Sequence, residues 1–185
     1  MECADVGFVL DVSGSIGSEY LLERDFVKQL AKKMGIWANG VHASVVQFSS
    51  SAYLKIPFMD DITDFTSEVH TLYEKTEPYG NTRIDKGLDV AFDEMFQTSN
   101  GMRPFGECNK VVIVMTDGQN DYPNMLIGKT DRFHEAGIRV VVIGVGSQVD
   151  NDELLRLVKF HNNFYQAKDF DELLSDSFLA NLAAC

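Results

Sequence analysis

The sequence predicts an α/β fold: a doubly wound open sheet of about six strands, mostly parallel with one antiparallel edge strand, and helices on both faces. Three observations carry this. Short continuous apolar runs alternate with segments whose apolar residues recur at helical spacing, as strands buried on both faces and joined by crossover helices do. Two of those runs break directly into loops rich in Asp, Ser and Gly, as strands do when they end at a ligand crevice. One pair of runs is separated only by Ser49, Ser50 and Ser51, a hairpin connection that makes the sheet mixed. At 185 residues the chain is sized for one domain over 1–185, and no repeat, low-complexity tract or linker interrupts it.

Residues 6–10 are an apolar run that breaks at Asp11 into a Ser/Gly cluster, a buried strand ending in a loop. Leu22, Phe26, Leu30 and Met34 then recur every four residues among Glu23, Lys28, Lys32 and Lys33, an amphipathic helix stopped by Gly35. Residues 41–48 and 52–58 read as the hairpin strands, and 63–74 as a weaker helix before the loop of Pro78, Tyr79, Gly80 and Asn81. Ile84, Leu88, Ala91, Phe92 and Met95 mark the next helix. Residues 111–115, the most β-branched run, belong at the centre of the sheet and end in the acidic, glycine-containing loop 116–121. A helix to about Gly137 precedes a buried strand over 140–145. Asp150 with Glu153, and Asp169 with Glu172, have capping-box spacing and open the last two helices, with a short edge strand over 163–166 between them. Phe170, Leu174, Phe178 and Leu182 give the final helix one apolar face.

Composition narrows the function. With 45% hydrophobic and 24% charged residues and no apolar run long enough to cross a bilayer, this is a soluble globular fragment without membrane insertion. A formal net charge of −12 argues against nucleic acid, whose phosphates repel such a surface, and favours a cation as guest. No basic segment, apolar stretch or cleavage site precedes the first strand, so no targeting signal is expected. Cys3, Cys108 and Cys185 lie far apart, with no C-x-x-C pair to support zinc or thioredoxin chemistry. Domain termini are often close in space, so a disulfide between Cys3 and Cys185 is expected, with Cys3–Cys108 as the competitor because both cysteines precede neighbouring strands. A disulfide implies an oxidising, extracellular setting and a secreted fragment of a larger protein.

Three loops can meet in the crevice: Asp11, Ser13 and Ser15 after the first strand, Thr82 ahead of a helix, and Asp117 after the central strand. They offer two carboxylates and three hydroxyls, hard oxygen donors that suit Mg²⁺, with Mn²⁺ or Ca²⁺ as substitutes. With only two charged donors, such a site leaves its cation short of neutralisation and open to an incoming Asp or Glu carboxylate. Asp11 and Asp117 are expected in solvent-facing loops. Thr82 with Asp85 also fits a helix N-cap with an acidic first turn, and Asp121 reads as solvated or loop-capping.

Asp11-x-Ser13-x-Ser15, Thr82 and Asp117, in this order and at these separations, resemble the metal-ion-dependent adhesion site of the von Willebrand factor type A domain family, which includes the integrin inserted domains. The flanking residues 5–10, 45–48 and 110–118 resemble it too. The resemblance implies a metal held directly by Ser13 and Ser15, joined by Thr82 in the high-affinity state, with Asp11 and Asp117 acting largely through water. It implies an extracellular adhesion or matrix-binding module, closer to matrilin and collagen A domains, whose protein partner, in the matrix or on a cell surface, presents the carboxylate. Residues 147–154 leave no room for the extra helix of collagen-binding integrin domains. In integrin-type members the last helix slides and changes affinity; a tether at Cys185 would block that step.

The rivals are a structural matrix-assembly module whose metal is incidental and an Mg²⁺-dependent phosphatase-like enzyme. A phosphatase needs a second acid two residues after its aspartate, where Ser13 stands. Gly14-Ser15-Ile16-Gly17 lacks nucleophile-elbow spacing, Gly144-Val145-Gly146 lacks the third glycine of a dinucleotide fingerprint, and His42, His70, His134 and His161 are scattered, so no catalytic set is expected.

Overall fold

The computed structural model describes residues 3–183. The first strand, β1 (Ala4–Asp11), is buried along its whole length. Val6, Phe8 and Leu10 face one apolar layer and Val9 the other, so β1 needs the unbroken apolar run its sequence has. A 3-10 segment (Gly14–Glu19) leads into α1 (Tyr20–Met34), then the hairpin β2 (Val41–Phe48) and β3 (Ala52–Met59). Next come α2 (Ile62–Glu74), α3 (Ile84–Val90) and β4 (Asn109–Thr116). The chain closes with α4 (Asp131–Glu135), β5 (Ile138–Val145), α5 (Asn151–Leu155), β6 (Phe164–Ala167), α6 (Phe170–Leu173) and α7 (Asp176–Ala183).

The six strands lie in the order β3-β2-β1-β4-β5-β6. Only β2 and β3 pair antiparallel; β1 pairs parallel with both β2 and β4, and the order reverses direction at β1. The carboxyl ends of β1 and β4 therefore flank the switch point where open α/β sheets bind ligands. One face packs against α1, α2, α6 and α7 through Phe26, Leu30, Phe65, Val69, Phe170 and Leu182. The other packs against α3, α4 and α5 through Ile84, Leu88, Phe133 and Leu154. At Gly87 a Cβ would lie 2.8 Å from the Phe48 ring and 2.9 Å from Val9, so α3 sits against the sheet only because that position is glycine.

Several local expectations change. The helix begun by α3 widens into a π turn (Ala91–Met95), with Phe96 N–H bonding the Ala91 carbonyl, which lets Met95 and Phe96 both bury; Phe96 packs on Phe58 at 5.6 Å between centroids. The helix expected up to Gly137 is a 3-10 turn (Pro123–Leu126) followed by the five-residue α4. The single last helix is two, broken at Leu174 and Ser175. Asp150 and Asp169 do cap, accepting from Glu153 N–H and Glu172 N–H, but neither box closes: Glu153 bonds Asn120 N–H and Glu172 bonds Lys168 N–H.

Cys3 is bonded to Cys108, not to Cys185, with Cα atoms 5.1 Å apart. The reason is register. Ala4 faces Asn109 across the β1–β4 pair, which sets the two preceding cysteines side by side. Cys185 lies outside the described residues, and a tether from it to Cys3 is ruled out by this pairing.

Candidate metal centre

The loops after β1 and β4 and the segment before α3 meet at the switch point. The hydroxyl oxygens and one carboxylate form a continuous run: Thr82 Oγ1 to Ser13 Oγ at 3.1 Å, Ser13 Oγ to Ser15 Oγ at 3.1 Å, and Ser15 Oγ to Asp117 Oδ1 at 2.8 Å. Neighbouring oxygens around an octahedral Mg²⁺, with bonds of about 2.1 Å, stand about 3.0 Å apart. The donor set thus fits a hard cation in spacing and in chemistry. Gly118 closes the back of the group, its Cβ position 3.5 Å from Thr82 Oγ1. Among the described residues no three His, Cys, Asp or Glu side chains gather as a metal cluster, so this site stands on hydroxyls.

Asp11 differs from its expected place. It is the last residue of β1 and fully buried, not part of a solvent-facing loop. Both its oxygens are engaged: Ser13 N–H donates to Oδ1 at 2.9 Å and the Thr116 hydroxyl to Oδ2 at 2.6 Å. Burial pushes its pKa up to about 6 against the pull of those bonds, and the nearby charge of Asp117 adds to the rise. Asp117 is half-buried and raised too, by burial, with the Ser15 hydrogen bond opposing. Neither aspartate has a cationic side chain in ion-pair contact among the described residues. Ser13 and Thr82 are buried while Ser15 is exposed, so the group opens outward on the Ser15–Asp117 side.

Thr82 does not cap α3. The N-cap position is Arg83, and Ile84 N–H is satisfied by Asn120 Oδ1 at 2.8 Å, which leaves the Thr82 hydroxyl free to turn toward Ser13. Asp121 caps the Thr82 segment, accepting from Thr82 N–H at 2.7 Å. Thr116, Asn120 and Ser50 were not singled out by the sequence, although each holds a loop of the site. Only Thr116 had a local signal, its place beside Asp117. Behind the group lies a buried acid, Glu23 on α1, which accepts from the Tyr73 hydroxyl and whose Oε2 has no partner.

A six-stranded sheet whose order reverses at β1, with helices on both faces and a hydroxyl-rich loop group at that point, defines a doubly wound α/β domain. The chain belongs to the von Willebrand factor type A domain family, whose model matches residues 5–178. It is 28% identical over 174 residues to the collagen alpha-6(VI) chain of Mus musculus, covering 94% of this chain and 8% of that one. It is 33% identical over 146 residues to cochlin of Cavia porcellus, covering 77% of this chain and 24% of cochlin. Proximal thread matrix protein 1 of the mussel byssus superposes with a TM-score of 0.82 at 26% identity, over 98% of this chain and 45% of that one. A second structure of that protein has a zinc-occupied MIDAS motif, at a TM-score of 0.81 and 25% identity. The chain thus spans under a quarter of the length of the curated relatives described here.

Proposed function

We propose that this domain is an extracellular adhesion module in which Ser13, Ser15 and Thr82 hold one divalent cation, Mg²⁺ by preference, with Asp11 and Asp117 acting largely through water, and present it to a carboxylate of a protein partner. The observation that carries this is the run of four oxygens from Thr82 through Ser13 and Ser15 to Asp117, with no cationic side chain paired to Asp117 or to Asp11 among the described residues. The bound cation supplies the positive charge that the partner's Asp or Glu meets. Ser13, Ser15 and Thr82 offer hydroxyl oxygens without adding charge. Asp11, held on both oxygens, anchors the Ser13 backbone from beneath. Asp117 borders the open side where a partner approaches.

The same burial argues against phosphatase-like chemistry, because a nucleophilic Asp11 would need an accessible oxygen. The Cys3–Cys108 bond supports an oxidising compartment. Among the described residues no helix is long and apolar enough to cross a membrane. Kinship with collagen VI, cochlin and a thread matrix protein supports a matrix or cell-surface partner.

The test is solid-phase binding of the domain to collagen and basement-membrane extracts in Mg²⁺ and in EDTA, with Asp117→Ala and the near-isosteric Asp11→Asn. Binding is expected in Mg²⁺ only and in neither variant, with circular dichroism unchanged. Equal binding in EDTA would favour a structural assembly module instead.

A further inference from the structure

We infer that Asp121 is a positioning residue: it clamps Thr82 from the loop after β4 and holds the Thr82 hydroxyl in the site before any metal arrives. This deepens the proposed function, since the hydroxyl matters only if the group holds a cation. Both backbone polar groups of Thr82 are taken by this one residue, 39 positions away. Thr82 N–H donates to Asp121 Oδ2 at 2.7 Å, and Asp121 N–H donates to the Thr82 carbonyl at 3.0 Å.

The neighbours of Thr82 are bound as firmly. Asn81 N–H donates to Ser50 Oγ at 2.9 Å, Gly14 N–H to the Gly80 carbonyl at 3.1 Å, and Ile84 N–H to Asn120 Oδ1 at 2.8 Å. Asn120 is itself anchored, its N–H donating at 2.9 Å to Glu153, which lies on α5 behind the Asp150 cap. Moving Thr82 away from Ser13 thus requires breaking a set of bonds to three separate loops. A donor fixed before binding costs less to order on binding, and partners that orient ligands typically govern metal affinity. The clamp makes the apo and loaded forms share one Thr82 position, so affinity is set locally and needs no movement of the last helix.

The test compares the wild type, Asp121→Ala and Asp121→Asn by amide hydrogen exchange in EDTA and by Mg²⁺ titration calorimetry, with β1 and β4 amides as the control for folding. In the wild type the Thr82 amide is expected to be protected in EDTA. Asp121→Ala should lose that protection and weaken Mg²⁺ binding by about tenfold or more; Asp121→Asn, which keeps an acceptor oxygen, should restore most of both. A Thr82 amide that exchanges freely in EDTA and gains protection only with Mg²⁺ overturns the clamp, as does equal Mg²⁺ affinity in wild type and Asp121→Ala. Failure of the wild type to bind Mg²⁺, with Thr82 protected in EDTA and exposed in Asp121→Ala, would instead sink the metal reading and leave the clamp standing.

Discussion

The two ends of β1 each bury an aspartate, and the two are treated in opposite ways. Asp5, at the amino end, receives Arg103 at 2.6 Å and Lys110 at 3.1 Å, with a further bond from Arg103 N–H at 2.9 Å. Asp11, at the carboxyl end six residues on, receives hydroxyls and a backbone N–H but, among the described residues, no cationic side chain. Burial is complete for both. The lower end of the sheet is electrostatically closed and structural; the upper end is left short of positive charge, which is what a cation-binding end requires.

Removing Asp5 tests the closed end. Asp5→Ala strands Arg103 and the buried Lys110, and should cost about 3–5 kcal/mol, read by urea denaturation and independent of Mg²⁺. A loss under about 1 kcal/mol would mean that solvent already compensates these charges. Beside Asp5, the Cys3–Cys108 bond closes a loop with a sequence separation of 105 residues; its reduction should lower stability by about 2–4 kcal/mol. Non-reducing peptide mapping should recover the Cys3–Cys108 peptide, and a Cys3–Cys185 peptide would contradict the strand register.

The open end should behave differently. Mg²⁺ at a hundred times its dissociation constant should stabilise the wild type by about 2.7 kcal/mol, seen as a rise in urea midpoint. Asp11→Asn should show none of that rise; if it kept the rise, the cation would sit elsewhere.

Glu23 sharpens the contrast further. Burial raises its carboxyl well above the ordinary range, the Tyr73 hydrogen bond opposing and the charges of Asp11 and Asp117 adding to the rise. A raised acid binds its proton more tightly folded than unfolded, so its contribution is full below the unfolded value and is lost as pH climbs toward the folded one. In EDTA, wild-type stability should fall above about pH 4.3 by up to about 1.4 kcal/mol per pH unit from this group. Glu23→Gln should flatten that slope, and parallel pH profiles for the two proteins would show that Glu23 ionises without penalty.

The central strands β1, β4 and β5 are legible because each carries a continuous apolar run, and β1 and β4 announce their loops through Asp11 and Asp117. The five candidate ligands could be found because each lies at a strand end or before a helix. What holds them could not. The bonds of Thr116 to Asp11, Asn120 to Ile84 and Ser50 to Asn81 join loops far apart in sequence, and no local pattern encodes such partners. The burial of Asp11 was missed because an aspartate followed by a Ser/Gly cluster reads as loop, whereas parallel pairing extends β1 through Asp11 opposite Phe48. Glu153 matched a capping box but bonds Asn120, a tertiary partner overriding a local one. The cysteine pairing depended on strand register, which terminal proximity does not contain.

The disulfide has a mechanical consequence. It rivets β1 to β4 at the sheet's lower end, whereas among the described residues α7 is held without a covalent link, by Phe178 against Phe26 at 6.5 Å and Tyr165 at 6.1 Å between centroids and by an exposed Lys33–Asp176 ion pair at 3.2 Å. Tension applied between Cys3 and the far end of α7 meets a covalent rivet on one side and a peelable seam on the other. The seam yields first. The last helix is then the fuse of a loaded domain, able to detach while the riveted strands keep the oxygen cradle in shape.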